Sequence, residues 1–426
     1  MRTICFEKKV SNVLLTKALR PIWPSVVFSG WSPAQIVDLS DAPLPGPKWI
    51  RVHNRLCGIC GTDLHLFLVE ADPRIAAAAL PGTLRIYLGH EVVGIVSEAG
   101  AGVTDLKIGD RVIMDSRAVV GGTCLSQEIT SPCRHCRDGN FQLCENAAAG
   151  PGPHGEGGGW GDSYTAHVSE VYRVGDELDD ETAAMVEPLS VGVRAALSRL
   201  PAPGEQVLVL GCGIVGLNVI QAVRALAPGC SITALARHPQ QIAMASQLGA
   251  DTVVSDEDSY AAAARITNGK LYRGMFNNRT IVGGFDITFD CVGSAHTVQD
   301  SLRWTRAGGT VVLVGVSLQS LRVDLSPVWH QEVRLIGIVA HGMEVWNGVR
   351  RSTYDLTCDL LRAGKLTTEG LITHRFPLEQ WQEAIRTAQD KRTGAIKVVF
   401  DYCDNRNTAA QCQAQVAMAV GSRVVQ

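Results

Sequence analysis

No run of apolar residues in this sequence approaches the ~18–20 needed to span a bilayer, so a membrane-embedded protein is not expected. A strong charge of either sign is also missing. With 39 Lys+Arg against 42 Asp+Glu, the net charge of -3 lacks the basic footprint of a nucleic-acid partner. The first ten residues carry Arg2, Glu7, Lys8 and Lys9 where a secretory signal would need an apolar core, so no signal peptide is expected and the cytoplasm is the expected location. Charged residues reach only 19%, yet apolar residues reach 46%, a balance that excludes disorder for a chain of 426 residues with room for two or three domains. Cysteine is the residue not in short supply. Thirteen in such a compartment point to metal ligands or buried thiols rather than disulfides.

The densest chemistry lies in Cys57-Gly-Ile-Cys60-Gly-Thr62-Asp-Leu-His65, after the strand-like run 49–54. A second cluster, Gly89-His90-Glu91, opens the apolar run 92–96, and Glu187 sits far downstream in Val-Glu-Pro-Leu-Ser. Thiolate, imidazole and carboxylate together suit a borderline-soft divalent ion, above all zinc, and three firm ligands leave a position for substrate. A redox dithiol at Cys57 and Cys60 is the competing reading. It would open a helix, whereas the glycines at 58 and 61 favour a loop.

Prolines at 21, 24, 33, 43, 45 and 47 argue against a long helix before residue 50 and favour strands with turns. Cys124, Cys133, Cys136 and Cys144 follow with the spacing C-x8-C-x2-C-x7-C. Four thiolates close a tetrahedral zinc site with no open position, which serves folding rather than chemistry; free, partly buried thiols are the alternative.

From residue 206 the pattern changes. The apolar strand Gln206-Val-Leu-Val-Leu210 runs straight into Gly211-Cys-Gly213-Ile214-Val215-Gly216 and then a helix, the dinucleotide fingerprint in its required context. Its glycines permit a tight turn and bring backbone N–H groups to a pyrophosphate at a helix N-terminus. No Asp or Glu occurs between Glu205 and Asp251, so the acid that usually binds the ribose of NAD is missing. Ala236 removes a charge that would repel a 2′-phosphate and Arg237 can pair with one, which favours NADP with NAD possible. Strands and helices then alternate as in a doubly wound parallel sheet, with Val292, Gly315 and Val316 at strand ends where ligand binds. The stretch 271–283 reads as irregular, and the tail 402–426 as frayed or one late helix.

The motifs 58–65, 89–91, Gly109-Asp-Arg-Val112, the cysteine lobe, Glu187-Pro-Leu-Ser190 and 211–216 together resemble the zinc-dependent medium-chain alcohol dehydrogenases, nearest the threonine and polyol dehydrogenase branch. The resemblance implies an α/β protein in which a Rossmann doubly wound parallel-sheet domain (189–338) interrupts a GroES-like β-rich catalytic domain. The catalytic part would comprise 1–188, with the structural zinc lobe at about 124–144, and a return over 339–426, the active site lying in the cleft between the domains. Residue by residue, it makes Cys60, His90 and Glu91 catalytic zinc ligands and Glu187 a fourth ligand or the holder of the metal's water. Thr62 and His65 would pass a proton to solvent. It also implies a second, structural zinc, a small alcohol or ketone as substrate, and a homodimer or homotetramer. One departure is that the family spaces its lobe C-x2-C-x2-C-x7-C, yet the position three before Cys133 is Thr130, so Cys124 must reach in from upstream. Two rivals remain. A zinc-free quinone or enone reductase of the same superfamily should lack Cys60, His90 and Glu91, and a non-catalytic NADPH sensor should show no turnover.

Overall fold

The computed structural model describes residues 1–40, 42–79, 83–115, 122–146, 155–255 and 257–403. Two compact units emerge, one of Met1–Glu187 with Thr368–Gln426 and one of Pro188–Thr367. The stretch 339–367, read from sequence as already back in the first part, groups with the second unit.

The first unit is built on one mostly antiparallel sheet. Its strands run in the order Ile372–Phe376, Lys397–Asp401, Trp49–Gly58, Glu91–Ala99, Arg111–Met114, Val171–Arg173, and Ser163–His167 also pairs with Trp49–Gly58. Ile50, Val52, Val92, Val96, Val112, Val398 and Phe400 point into a core closed by Phe67, Trp160 and Tyr164. That alternation of inward apolar residues fixes the register, because a one-residue slip would turn every one of them outward. The register sets Gly58 opposite both Glu91 and Val399.

Three expectations need correcting. Val10–Leu19 is a ten-residue helix despite the prolines around it, since all six lie outside that span. The stretch after Cys60 is a helix too, Gly61–Phe67, rather than a loop. Cys60 is its extended N-cap residue, and Asp63 supplies the acidic first turn. Residues Lys270–Arg273 and Arg279–Val282 form a β-hairpin, which the sequence hid because its tip turns through positive φ at Phe276 and Asn277 instead of at a glycine.

The second unit holds a six-stranded parallel sheet in the order Thr252–Val254, Ser231–Leu235, Gln206–Leu210, Phe285–Asp290, Thr305–Leu313, Arg334–Gly337. The order grows outward in one direction from Gln206–Leu210 and then in the other. This places a topological switch point at the C-terminal end of that strand, where such sheets bind ligand. The tail 402–426, expected to be frayed or one late helix, lies almost wholly outside the described residues. Among the described residues no helix is long and apolar enough to cross a membrane.

Candidate active site

Two strands and one helix start deliver the first cluster. Trp49–Gly58 ends just before Cys60, Glu91–Ala99 begins just after His90, and the helix Gly61–Phe67 starts between them in sequence. One ligand atom each from Cys60, His90 and Glu91 lies within 4.8 Å of the others, close enough to share one metal ion. The donor set of one thiolate, one imidazole and one carboxylate fits zinc. Gly58 is required by this packing, because a Cβ there would sit 2.0 Å from Oε2 of Glu91. Gly89 is equally constrained: its φ is +87°, and a Cβ would meet the backbone nitrogen of Trp160 at 2.5 Å.

Asp63, buried in the first turn of the helix, ties the two halves together. Its Oδ1 accepts the N–H of Gly89 at 3.1 Å, and its Oδ2 faces Nδ1 of His90 at 3.1 Å. Burial pushes the His90 imidazole down, but Asp63 and Cys60 outweigh it and hold it well above its ordinary value. A carboxylate beside Nδ1 is the usual outer partner of a metal-binding histidine and would leave Nε2 for the metal. Thr62 Oγ1 lies 3.2 Å from Cys60 Sγ, and His65 follows one turn later, half-exposed.

Sequence reasoning missed two members of this neighbourhood. Lys397, fully buried, donates from Nζ to both oxygens of Glu91 at 2.8 and 2.5 Å, and to the carbonyl of Ile59 at 3.3 Å. Glu70 bonds Nδ1 of His65 at 2.6 Å. Glu187 is buried and acts electrostatically on Lys397, but its carboxylate is not in the close set, so the geometry gathers three of the four residues named for the catalytic metal. The Cys57 thiol is fully buried and pushed well up by that burial, which disfavours the thiolate that redox exchange would need of it.

The four lobe cysteines, Cys124, Cys133, Cys136 and Cys144, also converge within 4.8 Å. Cys124 reaches the group despite its longer spacing, its Sγ standing 3.6 Å from that of Cys144. It accepts N–H bonds from Cys133 and from Asn146 at 3.4 and 3.2 Å. Burial pushes the Cys133 thiol up, yet N–H donors from Glu145 and Cys136 bring it down to about 7, while burial raises the Cys136 and Cys144 thiols beside it. Donors aimed at sulfur favour thiolate, the form that binds zinc.

The second unit carries the nucleotide cradle. Gly211 turns at φ +91°, and a Cβ on Gly216 would lie 1.9 Å from the Gly211 carbonyl oxygen, so neither position admits a side chain. Gly213 faces open space and caps the helix Ile214–Leu226, whose first turn holds Ile214, Val215 and Gly216. Open space before thirteen helical residues fits a pyrophosphate. Across the switch point, Asp290 Oδ1 accepts the N–H groups of Val292 and Gly293 at 2.9 and 3.0 Å. That bonding pins the turn so that Val292 and Val316 present exposed apolar surface. Gly315 must be bare, since a Cβ would meet Val292 at 2.3 Å. Ala236 is buried after the second strand, and Arg237 beside it is exposed.

Comparison with known proteins agrees with this layout. Residues 46–176 match the alcohol dehydrogenase GroES-like domain, and residues 215–353 match the zinc-binding dehydrogenase domain. The L-idonate 5-dehydrogenase of Vitis vinifera is 33% identical over 84% of this chain and 89% of its own. The sorbitol dehydrogenase of Arabidopsis thaliana is 31% identical over 84% and 90%. A zinc-binding dehydrogenase from Sinorhizobium meliloti 1021, solved with NADP, is 26% identical with a TM-score of 0.62 over 86% of this chain and 95% of that one. The chain therefore belongs to the zinc-dependent medium-chain alcohol dehydrogenases, oxidoreductases that use zinc and a nicotinamide cofactor on small alcohols. Within that family it stands in the branch of the polyol and threonine dehydrogenases.

Proposed function

We propose that this chain is a cytoplasmic, NADP-preferring dehydrogenase that interconverts a secondary alcohol of polyol or amino-alcohol type with its ketone. The observation that carries the reading is the convergence of Cys60, His90 and Glu91 on a point one metal ion can fill. The sorbitol and L-idonate dehydrogenases among its relatives support a polyhydroxylated substrate. A homodimer or homotetramer, as the family resemblance implies, is part of the same reading.

Cys60, His90 and Glu91 would hold the catalytic zinc, with Glu187 adding a carboxylate to the neighbourhood, and the four lobe cysteines would hold a structural one. When bound, the catalytic ion supplies an electrophile that acidifies the substrate hydroxyl. Thr62 takes the hydroxyl proton and passes it on to His65, whose half-exposed ring releases it to water. Gly211, Gly213, Ile214, Val215 and Gly216 would seat the pyrophosphate, Arg237 would pair with a 2′-phosphate that the uncharged Ala236 leaves room for, and Val292, Gly315 and Val316 would border the nicotinamide. A nicotinamide held there would supply the hydride acceptor, so that alcohol and oxidised cofactor would yield ketone, reduced cofactor and one proton.

The test is a panel of polyols, amino alcohols and simple secondary alcohols, run with NADP and with NAD and followed by absorbance of the reduced cofactor. Turnover of a secondary alcohol with NADP ahead of NAD supports the reading. Tight NADPH binding without turnover of any member contradicts it.

A further inference from the structure

The helix Gly61–Phe67 ends in a turn of unusual construction. Leu68 N–H still bonds Leu64 O at 2.8 Å, but Val69 then takes φ +55°. A helix normally exits through glycine at such a position, and a β-branched residue there is strained. The turn sends the Glu70 N–H back to the carbonyl of His65 at 2.9 Å and lays the Glu70 carboxylate against the ring, Oε2 to Nδ1 at 2.6 Å. The other carboxylate oxygen is held as well. Arg20 donates to Oε1 from Nη2 at 2.6 Å and to the carbonyl of Leu68 from Nη1 at 2.8 Å. Arg20 is the C-cap of the helix Val10–Leu19, and Lys17 of the same helix donates to the carbonyl of Ala71. Two cations from one N-terminal helix thus clamp the turn that carries Glu70. Backbone strain persists where the surroundings impose it, and it gathers at functional positions.

We propose that Glu70 is the positioning residue of the proton exit: it accepts the Nδ1–H of His65, fixing the ring with Nε2 as the proton acceptor, and Arg20 holds Glu70 in place. This rests on the reading of His65 as the end of the proton route. A carboxylate only accepts, so a neutral ring bonded to it must carry its proton on Nδ1. Nε2 then has its lone pair free, and among the described residues nothing bonds it. A proton arriving from Thr62 makes the imidazolium, whose charge Glu70 offsets; Nε2 then loses that proton to water and the ring returns to its starting tautomer. Glu70 stays ionised throughout. Burial pushes its carboxyl up, but bonds from Arg20 and His65 outweigh this and hold it below the usual carboxylate range.

The test is the tautomer itself. In wild-type protein labelled with 15N-histidine, with His65 assigned by difference against His65→Gln, the Nδ1 shift at alkaline pH should be that of a protonated nitrogen. In Glu70→Ala that shift should move towards a mixture of tautomers, and kcat for alcohol oxidation should fall about tenfold. Zinc content and the KM for NADP should stay within about twofold, which a general loss of structure would not allow. Arg20→Met should give a smaller loss in the same direction. An unprotonated Nδ1 in the wild type, or an unchanged kcat in Glu70→Ala, overturns the proposal. Should Glu70→Ala fail to fold, the wild-type spectrum alone decides. Absence of zinc and turnover in the wild-type protein would instead overturn the proposed function, a result distinct from either.

Discussion

Lys397 Nζ stands 2.5 and 2.8 Å from the two carboxylate oxygens of Glu91, and both side chains are sealed from solvent. The residues are 306 positions apart and meet because their strands both flank Trp49–Gly58. Burial alone would push the Lys397 ammonium down, but Glu91 and Cys60 outweigh it and raise it. Glu91 therefore meets a metal with part of its charge already offset. Lys397 limits how much negative charge the centre presents, and the bare Gly58 leaves room for the carboxylate between them.

Removing one partner of such a pair leaves an uncompensated charge in the core. Lys397→Met is expected to destabilise the metal-free protein by about 3–5 kcal/mol in urea unfolding. The double variant with Glu91→Gln should recover part of that loss, because the stranded carboxylate is gone. A double variant no more stable than Lys397→Met alone would show that the pair contributes through packing instead.

The cysteine lobe predicts a split between folding and chemistry. Cys124→Ser should lower bound zinc from about two ions per chain to about one and lower the Tm, while NADP binding to the second unit persists. The readouts are metal analysis, thermal melts and cofactor fluorescence. Zinc content unchanged by Cys124→Ser would exclude it as the fourth ligand.

Cofactor choice is expected to follow the end of the strand Ser231–Leu235. Ala236→Asp together with Arg237→Ala installs an acceptor for the ribose hydroxyl and removes the phosphate partner. The ratio of kcat/KM for NADP over NAD should fall by about 10- to 100-fold, in keeping with the loss of one charge-assisted contact and the gain of a repulsion. An unchanged ratio would move phosphate recognition elsewhere.

Glu170 gives a pH signature. Burial pushes its carboxyl up to about 7, against partial relief from Ser126 and the backbone of His167. A carboxyl raised above its unfolded value stabilises the fold below that unfolded value, and the contribution is lost as pH rises through about 7. Glu170→Gln should accordingly raise the Tm at pH ~8 and change it little near pH ~4.5, with a stability gain on the order of 1–3 kcal/mol. A gain that is the same at both pH values would contradict this.

Much of the site could be read from residues that are close in sequence or set in a regular pattern. Cys60, His90 and Glu91 stand at ends of alternating apolar strands, and Gly211 to Gly216 follow a strand directly, so local pattern and chemistry point the same way. What stayed hidden depends on tertiary contact. Lys397 looks like an ordinary charge at a strand start, and only the packing of three strands shows it buried against Glu91. Glu70 reaches His65 through a left-handed Val69, a conformation no propensity would assign to valine. Cys124 joins its lobe through a chain path that spacing rules do not cover. The helix Val10–Leu19 was obscured by prolines that all lie outside it.

The most direct measurement is zinc per chain alongside turnover in wild type and Cys60→Ser. About two zinc ions and NADP-linked alcohol oxidation are expected for the wild type, and about one ion, no turnover and retained NADP binding for the variant. A variant that keeps its full complement of zinc, or that still oxidises alcohol at the wild-type rate, would contradict a catalytic metal held by Cys60.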